Sequence, residues 1–243
     1  MKRGVQRLLQ RVLGFERYLF LFARVKLTTM PRERQYRDLF HFLDMIRPAD
    51  LVLDIGANIG LMTVLMSRRV PHGHVEAFEP IGENYRALTR IVDHYGLRNV
   101  TLHQMALSDA DGELQMIMPE QSHVRMQGLS HVATDDDEPG ERYSVPSRRL
   151  DDLTLPEGRV AAIKIDVENH EVFVFRGGRQ LIERDRPLVY TELWDDDRTT
   201  ECLTMFRELG YSVQVYDEAS ATLREVPEGH QDAGNYFLVP PAR

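Results

Sequence analysis

The chain alternates between short apolar runs and longer segments with helical periodicity. The apolar runs predict buried strands, at 51–54, 74–79, 99–103, 160–166 and 187–192. Apolar positions with a helical spacing separate them, at 33–47, 60–70, 82–95, 169–184 and 199–209. Two further apolar segments follow, at 211–217 and 235–239. Strands that alternate with helices predict an α/β fold with a doubly wound, mostly parallel sheet, here of seven strands.

Composition describes an ordinary globular chain with an uneven charge distribution. The 243 residues are 42% hydrophobic and 28% charged, which fits one domain with extensions. The net charge is −8, but residues 1–27 carry seven Lys/Arg against Glu16 alone, so this segment is at +6 and the remainder at −14. The acidic body argues against a nucleic-acid substrate. The single cysteine, Cys202, excludes an internal disulfide, and a reducing compartment such as the cytoplasm is expected.

The turn after the first strand has the features of a nucleoside-binding site. Residues 51–60 read Leu-Val-Leu-Asp-Ile-Gly-Ala-Asn-Ile-Gly, and the two glycines allow a tight turn and the close approach of a ligand. Glu79 ends the next apolar run, where a carboxylate can accept hydrogen bonds from both hydroxyls of a ribose. A dinucleotide fingerprint would need glycine where the chain has Asn58 and Leu61. A ligand without a pyrophosphate, such as S-adenosylmethionine (SAM), therefore suits the turn.

Several sequence segments resemble those of one protein family. In chain order they are DIGANIG at 54–60, AFEP at 77–80, ALSDADG at 106–112, VPSRRLDDL at 145–153, IKIDVENHEVFVFRGGRQLI at 163–182 and PLVYTEL at 187–193. Together they resemble the FkbM-type SAM-dependent methyltransferases over roughly residues 36–240. The resemblance implies a class I, Rossmann-like methyltransferase fold. It also implies methyl transfer to a hydroxyl of a sugar, glycolipid, surface polysaccharide or other natural product. The common family form has glycine in place of Asn169.

Candidate site residues follow from this resemblance and from their positions at strand ends. The residues predicted to bind SAM are Asp54, Gly56, Ala57, Asn58, Gly60, Glu79, Pro80 and Ala106. A sugar hydroxyl is a poor nucleophile, so a general base or a metal ion should assist. The candidate catalytic residues are Asp166, Glu168, His170 and Glu192, with His123 and His131 as further candidates for the base. Clustered acids are compatible with Mg²⁺, which the sequence leaves open. Lys164 is interpreted as structural.

Two segments have more than one interpretation. Residues 1–47 are predicted to be an N-terminal helical extension of a methyltransferase domain at 48–243. The basic, apolar helix at 1–27 either packs on the domain or on a second subunit, or lies on an anionic membrane surface. Residues 119–141 are too long and polar for a simple turn. They are interpreted as a lid or an acceptor-binding loop, and the alternative is a solvated insertion.

Two other functions are compatible with such a fold. One is an NAD(P)-dependent oxidoreductase, which the missing fingerprint glycines oppose. The other is a catalytically inert, membrane-associated module. Against it, the chain keeps the acidic and glycine positions that a SAM site needs, namely Asp54, Gly56, Gly60, Glu79 and Asp166.

Overall fold

The computed structural model describes residues 3–121, 124–133, 139–230 and 233–242. The α-helices in these residues are α1 (Arg3–Leu13), α2 (Phe15–Thr29), α3 (Arg37–Met45), α4 (Leu61–Arg69), α5 (Gly82–Tyr95), α6 (Glu171–Gly177), α7 (Arg179–Asp185) and α8 (Asp197–Glu208). The strands are β1 (Leu51–Ile55), β2 (His74–Phe78), β3 (Val100–His103), β4 (Ala106–Ser108), β5 (Gly112–Met118), β6 (Glu120–Gln121), β7 (Val124–Arg125), β8 (His131–Val132), β9 (Glu141–Arg149), β10 (Val160–Ile165), β11 (Leu188–Leu193), β12 (Ser212–Asp217), β13 (Thr222–Glu225) and β14 (Gly234–Val239). Short 3₁₀ turns occur at Met30–Arg32, Arg34–Tyr36, Gln127–Leu129 and Leu150–Asp152.

A central sheet organises the fold. Within the described residues it has eight strands, in the order β13-β12-β14-β11-β10-β1-β2-β3. The five strands from β11 to β3 are parallel, whereas β14 is antiparallel to both β11 and β12. The prediction of an α/β fold with a doubly wound, mostly parallel sheet is confirmed. The sheet has one strand more than the predicted seven, because Thr222–Glu225 pairs with β12 at the edge. That strand is short and mostly exposed, so no apolar run marks it in the sequence.

Alternate side chains of the central strands pack against two opposite layers of helices. Leu53 of β1 belongs to the cluster that includes α6, α7 and α8, where Phe206 is fully buried. Its neighbour Val52 belongs to the other cluster, with Met66 of α4 and residues of α3. Burial on both faces explains why these strands are continuously apolar. Cys202 lies in the first cluster and is buried.

The N-terminal helices lie on the outside of one helix layer. Gly14, at φ 76°, separates α1 from α2. The buried residues of α2 are Tyr18, Leu19, Ala23 and Leu27, and they pack with residues of α4 and α5. Helix α2 therefore packs on the domain, which is one of the two arrangements predicted for it. None of the helices in the described part of the chain is long and apolar enough to cross a bilayer.

A second, smaller sheet covers one end of the central sheet. Its strand order is β4-β9-β5-β8, where β5 is antiparallel to both β9 and β8, and β4 is parallel to β9. The described residues of the 119–141 segment form the β6–β7 hairpin, a 3₁₀ turn at Gln127–Leu129 and β8, which pairs with β5. The candidate base His123 and the acidic run at 135–138 lie outside the described residues.

Candidate active site

The turn after β1 is fixed by contacts within the protein. The carboxylate of Asp54 is fully buried, and its Oδ2 accepts a hydrogen bond from Thr63 Oγ1 at 2.6 Å. Gly56 has φ 74°, and a Cβ atom there would lie 2.0 Å from the carbonyl oxygen of Asp166. Glycine is therefore required by the backbone at the end of β10, in addition to any requirement of a ligand. Gly60, at φ 86°, begins α4, and a Cβ atom there would lie 2.7 Å from Leu88 Cδ1.

Glu79 connects the ends of β1 and β2. Its Oε2 accepts a hydrogen bond from the backbone N–H of Asn58 at 2.8 Å, and its Oε1 accepts from the N–H of Ile81 at 2.9 Å. Asn84 Nδ2 donates to the same Oε1 at 3.3 Å. Burial raises the pKa of Glu79 to about 7, against the hydrogen bonds that favour the carboxylate. Glu79 borders a cavity of about 60 Å³ together with Gly56, Asn58 and Pro80.

Lys164 lies between the carboxylates at the ends of β1 and β10. Its Nζ donates to the carbonyl oxygen of Gly56 at 3.0 Å and lies 3.8 Å from Asp54 Oδ1 and 3.7 Å from Asp166 Oδ2. Burial raises the pKa of Asp54, and the ammonium of Lys164 opposes that rise. Lys164 thus supports the structure as the sequence suggested. Lys164 also borders the main cavity. The sequence feature that could have indicated this position is a lysine inside an otherwise apolar strand.

The main cavity has a volume of about 410 Å³ and lies at the carboxyl ends of β1, β10 and β11. Asp166 and Glu192 border it, and Glu168 borders the adjoining cavity of about 60 Å³, which also includes Asp166. Burial, and then the neighbouring carboxylates of Asp166, Glu192 and Glu171, raise the pKa of Glu168 to about 8. Burial, and then Asp166, also raise the pKa of Glu192. The structure therefore brings together three of the four candidate catalytic residues.

His170 lies on a different side of the site. It precedes α6, is buried, and stacks on Phe173 with ring centroids 4.5 Å apart. Its Nε2 is 2.9 Å from Ser108 Oγ, and burial lowers the pKa of His170 to about 4. It borders a third cavity, of about 30 Å³, together with Pro80 and Ala106. This position places an uncharged imidazole beside the predicted cofactor residues, away from the cavity that Glu192 borders.

Glu168 and Asn169 occupy the left-handed region of backbone conformation, at φ 52° and 68°. Asparagine adopts this region more readily than most residues, which gives a physical reason for Asn169 where glycine is common. Its Nδ2 donates to Asp196 Oδ2 at 2.8 Å, and its carbonyl oxygen accepts from Arg198 Nη1 at 2.6 Å. Residues 168–169 are thereby tied to the start of α8.

The N-terminal extension forms one wall of the main cavity. Its lining residues there are Phe22, Lys26, Met30, Gln35, Tyr36 and Leu39. Asp38 Oδ2 accepts from Tyr190 Oη at 2.9 Å and from Asn235 Nδ2 at 2.7 Å, and both of these donors belong to residues that border the cavity. Sequence reasoning missed this wall, because no motif relates residues so distant along the chain.

The 119–141 segment borders the cavities of the site. Asn58 Nδ2 donates to the carbonyl oxygen of Gln127 at 3.1 Å, and Gln127 and Gly128 border both the main cavity and the one beside Glu79. This contact joins the segment to the turn after β1, and the lid interpretation stays a prediction. His131, in β8, has its Nδ1 2.9 Å from the carbonyl oxygen of Leu129.

The residues around these cavities fit SAM. Asn58 borders both cavities, and its buried Oδ1 has no hydrogen-bond donor among the residues that the structure describes, so it offers an acceptor for the ammonium group of the methionine end. Within the described ranges, no group of three or more His, Cys, Asp or Glu side chains is arranged to hold a metal ion.

Comparisons with known proteins identify the family of the chain. Residues 54–213 match the methyltransferase FkbM domain. The chain is 28% identical over 142 residues to "Methyltransferase 1" of Beauveria bassiana (strain ARSEF 2860), in an alignment that covers 52% of this chain and 57% of that protein. It is 29% identical over 176 residues to "Methyltransferase sdnD" of Sordaria araneosa, covering 58% of this chain and 67% of that one.

A solved structure has a similar fold. The methyltransferase FkbM of Methylobacillus flagellatus KT superposes with a TM-score of 0.54 at 17% identity, over 91% of this chain and 53% of that chain. This similarity confirms the Rossmann-like methyltransferase fold class. The chain spans little more than half the length of the Beauveria protein and of the Methylobacillus chain.

Proposed function

Because the chain belongs to the family of methyltransferases with an FkbM domain, for which SAM is the methyl donor, we propose that it transfers a methyl group from SAM to a hydroxyl oxygen. The acceptors that we propose are a sugar, a glycolipid, a surface polysaccharide or another hydroxyl-bearing natural product. The single buried cysteine fits a reducing compartment, and we place the reaction in the cytoplasm.

One observation carries the proposal. The main cavity joins the turn at Gly56–Asn58 to the carboxylates of Asp166 and Glu192. A donor bound at the turn and an acceptor bound at the carboxylates would therefore share one cavity. Such an arrangement could align the acceptor oxygen with the transferred methyl group.

The chemistry of the cavity wall suits a hydroxyl-rich acceptor. Carboxylates of Asp166 and Glu192 can accept hydrogen bonds from sugar hydroxyls, and the side chain of Asn235 can both donate and accept. Tyr36 borders the cavity with a half-buried ring, whereas Tyr190 is 5% exposed and its ring stacks on Phe42. The mixture of carboxylates, amides and aromatic rings is the basis for proposing a sugar-like acceptor.

Glu168 is the residue that we assign as general base. Its pKa of about 8 gives its carboxylate enough basicity to take the proton of a hydroxyl near neutral pH. Burial is the main cause of that raised pKa, and repulsion from Asp166 and Glu192 adds to it. We assign His170 a positioning role, since its contacts with Ser108 and Phe173 hold the start of α6.

The experiment is a transfer assay with SAM labelled in its methyl group and a panel of sugars, glycolipids and sugar nucleotides. We expect a labelled product whose fragmentation places the methyl group on oxygen, with or without EDTA as the control for metal dependence. A matched thermal-shift series compares SAM and S-adenosylhomocysteine with NAD and NADP.

Each alternative function has its own result in this design. Stabilisation by NAD or NADP and not by SAM would support an oxidoreductase. Stabilisation by SAM without a product from any acceptor would favour an inert module. A product methylated on nitrogen or carbon would contradict the assignment of a hydroxyl acceptor.

A further inference from the structure

Helix α1 carries an exposed apolar stripe. Val5, Leu8 and Val12 are 47%, 60% and 70% exposed. At about 100° per residue, these three positions fall within about 60° of one another on the helix surface. Single exposed apolar side chains are common on proteins, but three along one face of a helix form a continuous patch.

The opposite face of α1 is attached to the protein, so the direction of the stripe is fixed. Gln10 Nε2 donates to the carbonyl oxygen of Arg125 at 3.2 Å, and the backbone N–H of Arg125 donates to Gln10 Oε1 at 3.2 Å. Leu9 packs on the cluster between α2 and α5, and Arg125 lies over the ring of Phe15 at 3.9 Å from its centroid. The stripe therefore faces outward because its helix is held from behind.

Exposed basic residues accompany the exposed apolar side chains on both α1 and α2. Arg7 and Arg11 are exposed on α1, and Arg17 and Arg24 are exposed on α2. Leu21 and Val25 of α2 are 41% and 62% exposed, so α2 also presents apolar side chains to the solvent.

The acidic residue of this segment is turned away from the basic face. Glu16 pairs with Arg86 of α5, with Oε1 2.5 Å from Nε. Residues 1–27 carry +6, on a chain whose remaining residues carry −14. Positive charge is therefore concentrated where the exposed apolar residues are.

We propose that this surface, defined by Val5, Leu8, Val12, Leu21 and Val25 with Arg7, Arg11, Arg17 and Arg24 and called here the docking face, binds the surface of an anionic lipid bilayer. The apolar side chains enter the boundary between headgroups and acyl chains, and the arginines bind the anionic headgroups beside them. A second copy of the chain is a poorer partner, because two such faces placed together would bring arginines against arginines.

The docking face and the main cavity share helix α2. Phe22 and Lys26 of that helix border the cavity, while Leu21 and Val25 face outward. Docking would therefore hold the cavity beside the bilayer. The consequence that an acceptor could be presented by the membrane rests on the proposed function, whereas docking itself does not.

Co-sedimentation of the whole chain with vesicles tests docking without SAM or any acceptor. The vesicles are phosphatidylcholine alone, or phosphatidylcholine with about 30% phosphatidylserine, at low and high salt. We expect binding to the anionic vesicles that falls with added salt. The variant Val5→Gln/Leu8→Gln/Val12→Gln should bind at least about 10-fold more weakly, and Arg7→Glu/Arg11→Glu at least about 30-fold more weakly.

Matched controls separate docking from general effects. Arg98→Glu/Arg224→Glu changes the net charge by the same amount at two exposed positions outside the docking face, and Met45→Gln removes an exposed apolar side chain from α3. Both controls should bind like the unchanged chain, and every variant should retain SAM binding by calorimetry.

Three results would overturn the proposal. One is that the unchanged chain stays in the supernatant with anionic vesicles at low salt. Another is equal binding by the docking-face variants and their controls. The third is a dimer in solution that the apolar variant converts to a monomer, which would assign the face to a second copy.

Discussion

The two ends of the active site are built on different principles. Around the turn after β1, hydrogen bonds within the protein hold the backbone, since the carboxylate of Glu79 accepts from Asn58, Ile81 and Asn84, while the buried Asn58 Oδ1 has no donor among the described residues. After β10 and β11, by contrast, carboxylates lie near one another, and burial, and then Asp166 and Glu192, raise the pKa of Glu168. The first region is held by its own hydrogen bonds, whereas in the second region neighbouring carboxylates repel one another.

This difference separates binding from chemistry. A preorganised turn suits a cofactor that has to bind in one pose, because little ordering remains to oppose its binding. Repelling carboxylates suit proton transfer, because they bring a carboxyl group towards the pKa at which a base works near neutral pH. Changes at the turn should therefore alter stability and SAM affinity, and changes at the acids should alter turnover.

The largest effect is expected from Gly56→Ala. Its Cβ atom would lie 2.0 Å from the carbonyl oxygen of Asp166, so the turn and the end of β10 have to separate. We expect loss of detectable SAM binding and a fall of about 3 kcal/mol or more in the free energy of unfolding. Urea unfolding and calorimetry measure both.

The matched control is Gly96→Ala, because Gly96 also has a positive φ, of 62°, but a Cβ atom there would meet open space. Gly96→Ala should lower the free energy of unfolding by only about 1–2 kcal/mol and leave SAM binding intact. Equal effects of the two substitutions would show that backbone strain alone, and not contact with Asp166, explains the glycine.

Next in size is Glu168→Gln, which tests the opposite end of the site. We expect turnover to fall by about 10²–10⁴-fold while SAM affinity stays within about 3-fold. A base has to be ionised, so turnover of the unchanged enzyme should rise with pH through about 8. The variant should lose that rise. Loss of SAM binding in the variant would contradict the assignment of cofactor binding and proton transfer to two different regions.

A smaller effect is expected from Glu79→Ala. Losing charge-assisted hydrogen bonds to the ribose should weaken SAM binding by about 2 kcal/mol, roughly 30-fold. The variant Glu79→Gln keeps the size of the side chain and one acceptor oxygen, so its loss of SAM affinity should be smaller than that of the alanine variant. Unchanged affinity of the alanine variant in calorimetry would remove Glu79 from the cofactor site.

The smallest effect concerns the pH dependence of stability. Burial raises the pKa of Glu171 from 4.5 to about 7, although its Oε1 accepts from the N–H of Val167 at 3.0 Å. Between these pH values the folded state binds the proton more tightly than the unfolded state, so stability falls as pH rises from about 4.5 to 7. Thermal unfolding without ligand should show this fall, and Glu171→Gln should make it shallower. An equal slope in both proteins would contradict the assignment.

The two regions also differ in how far the sequence predicts them. The tight turn after β1 was predictable because its requirements are local: Gly56 and Gly60 have positive φ values within a short stretch. The fold was predictable because buried parallel strands are continuously apolar. The outer wall of the cavity was not, since Asp38 meets Tyr190 and Asn235 only after the chain has folded. The separation of His170 from Glu192 likewise depends on side-chain direction, which position along the chain does not specify.

The contacts of Asp38 have a consequence for the order in which the protein is made. Its carboxylate joins α3 to Tyr190, which lies 152 positions later in the chain, and to Asn235, which lies 197 positions later. The partners of α2, by contrast, lie on the nearby α4 and α5. At about 5–20 residues per second, a ribosome would produce Asn235 roughly 10–40 s after Asp38. Helix α2 can thus dock early in synthesis, while the cavity wall is completed only when β14 has emerged. A nascent chain shorter than this should be able to fold its cofactor turn before it has an acceptor site.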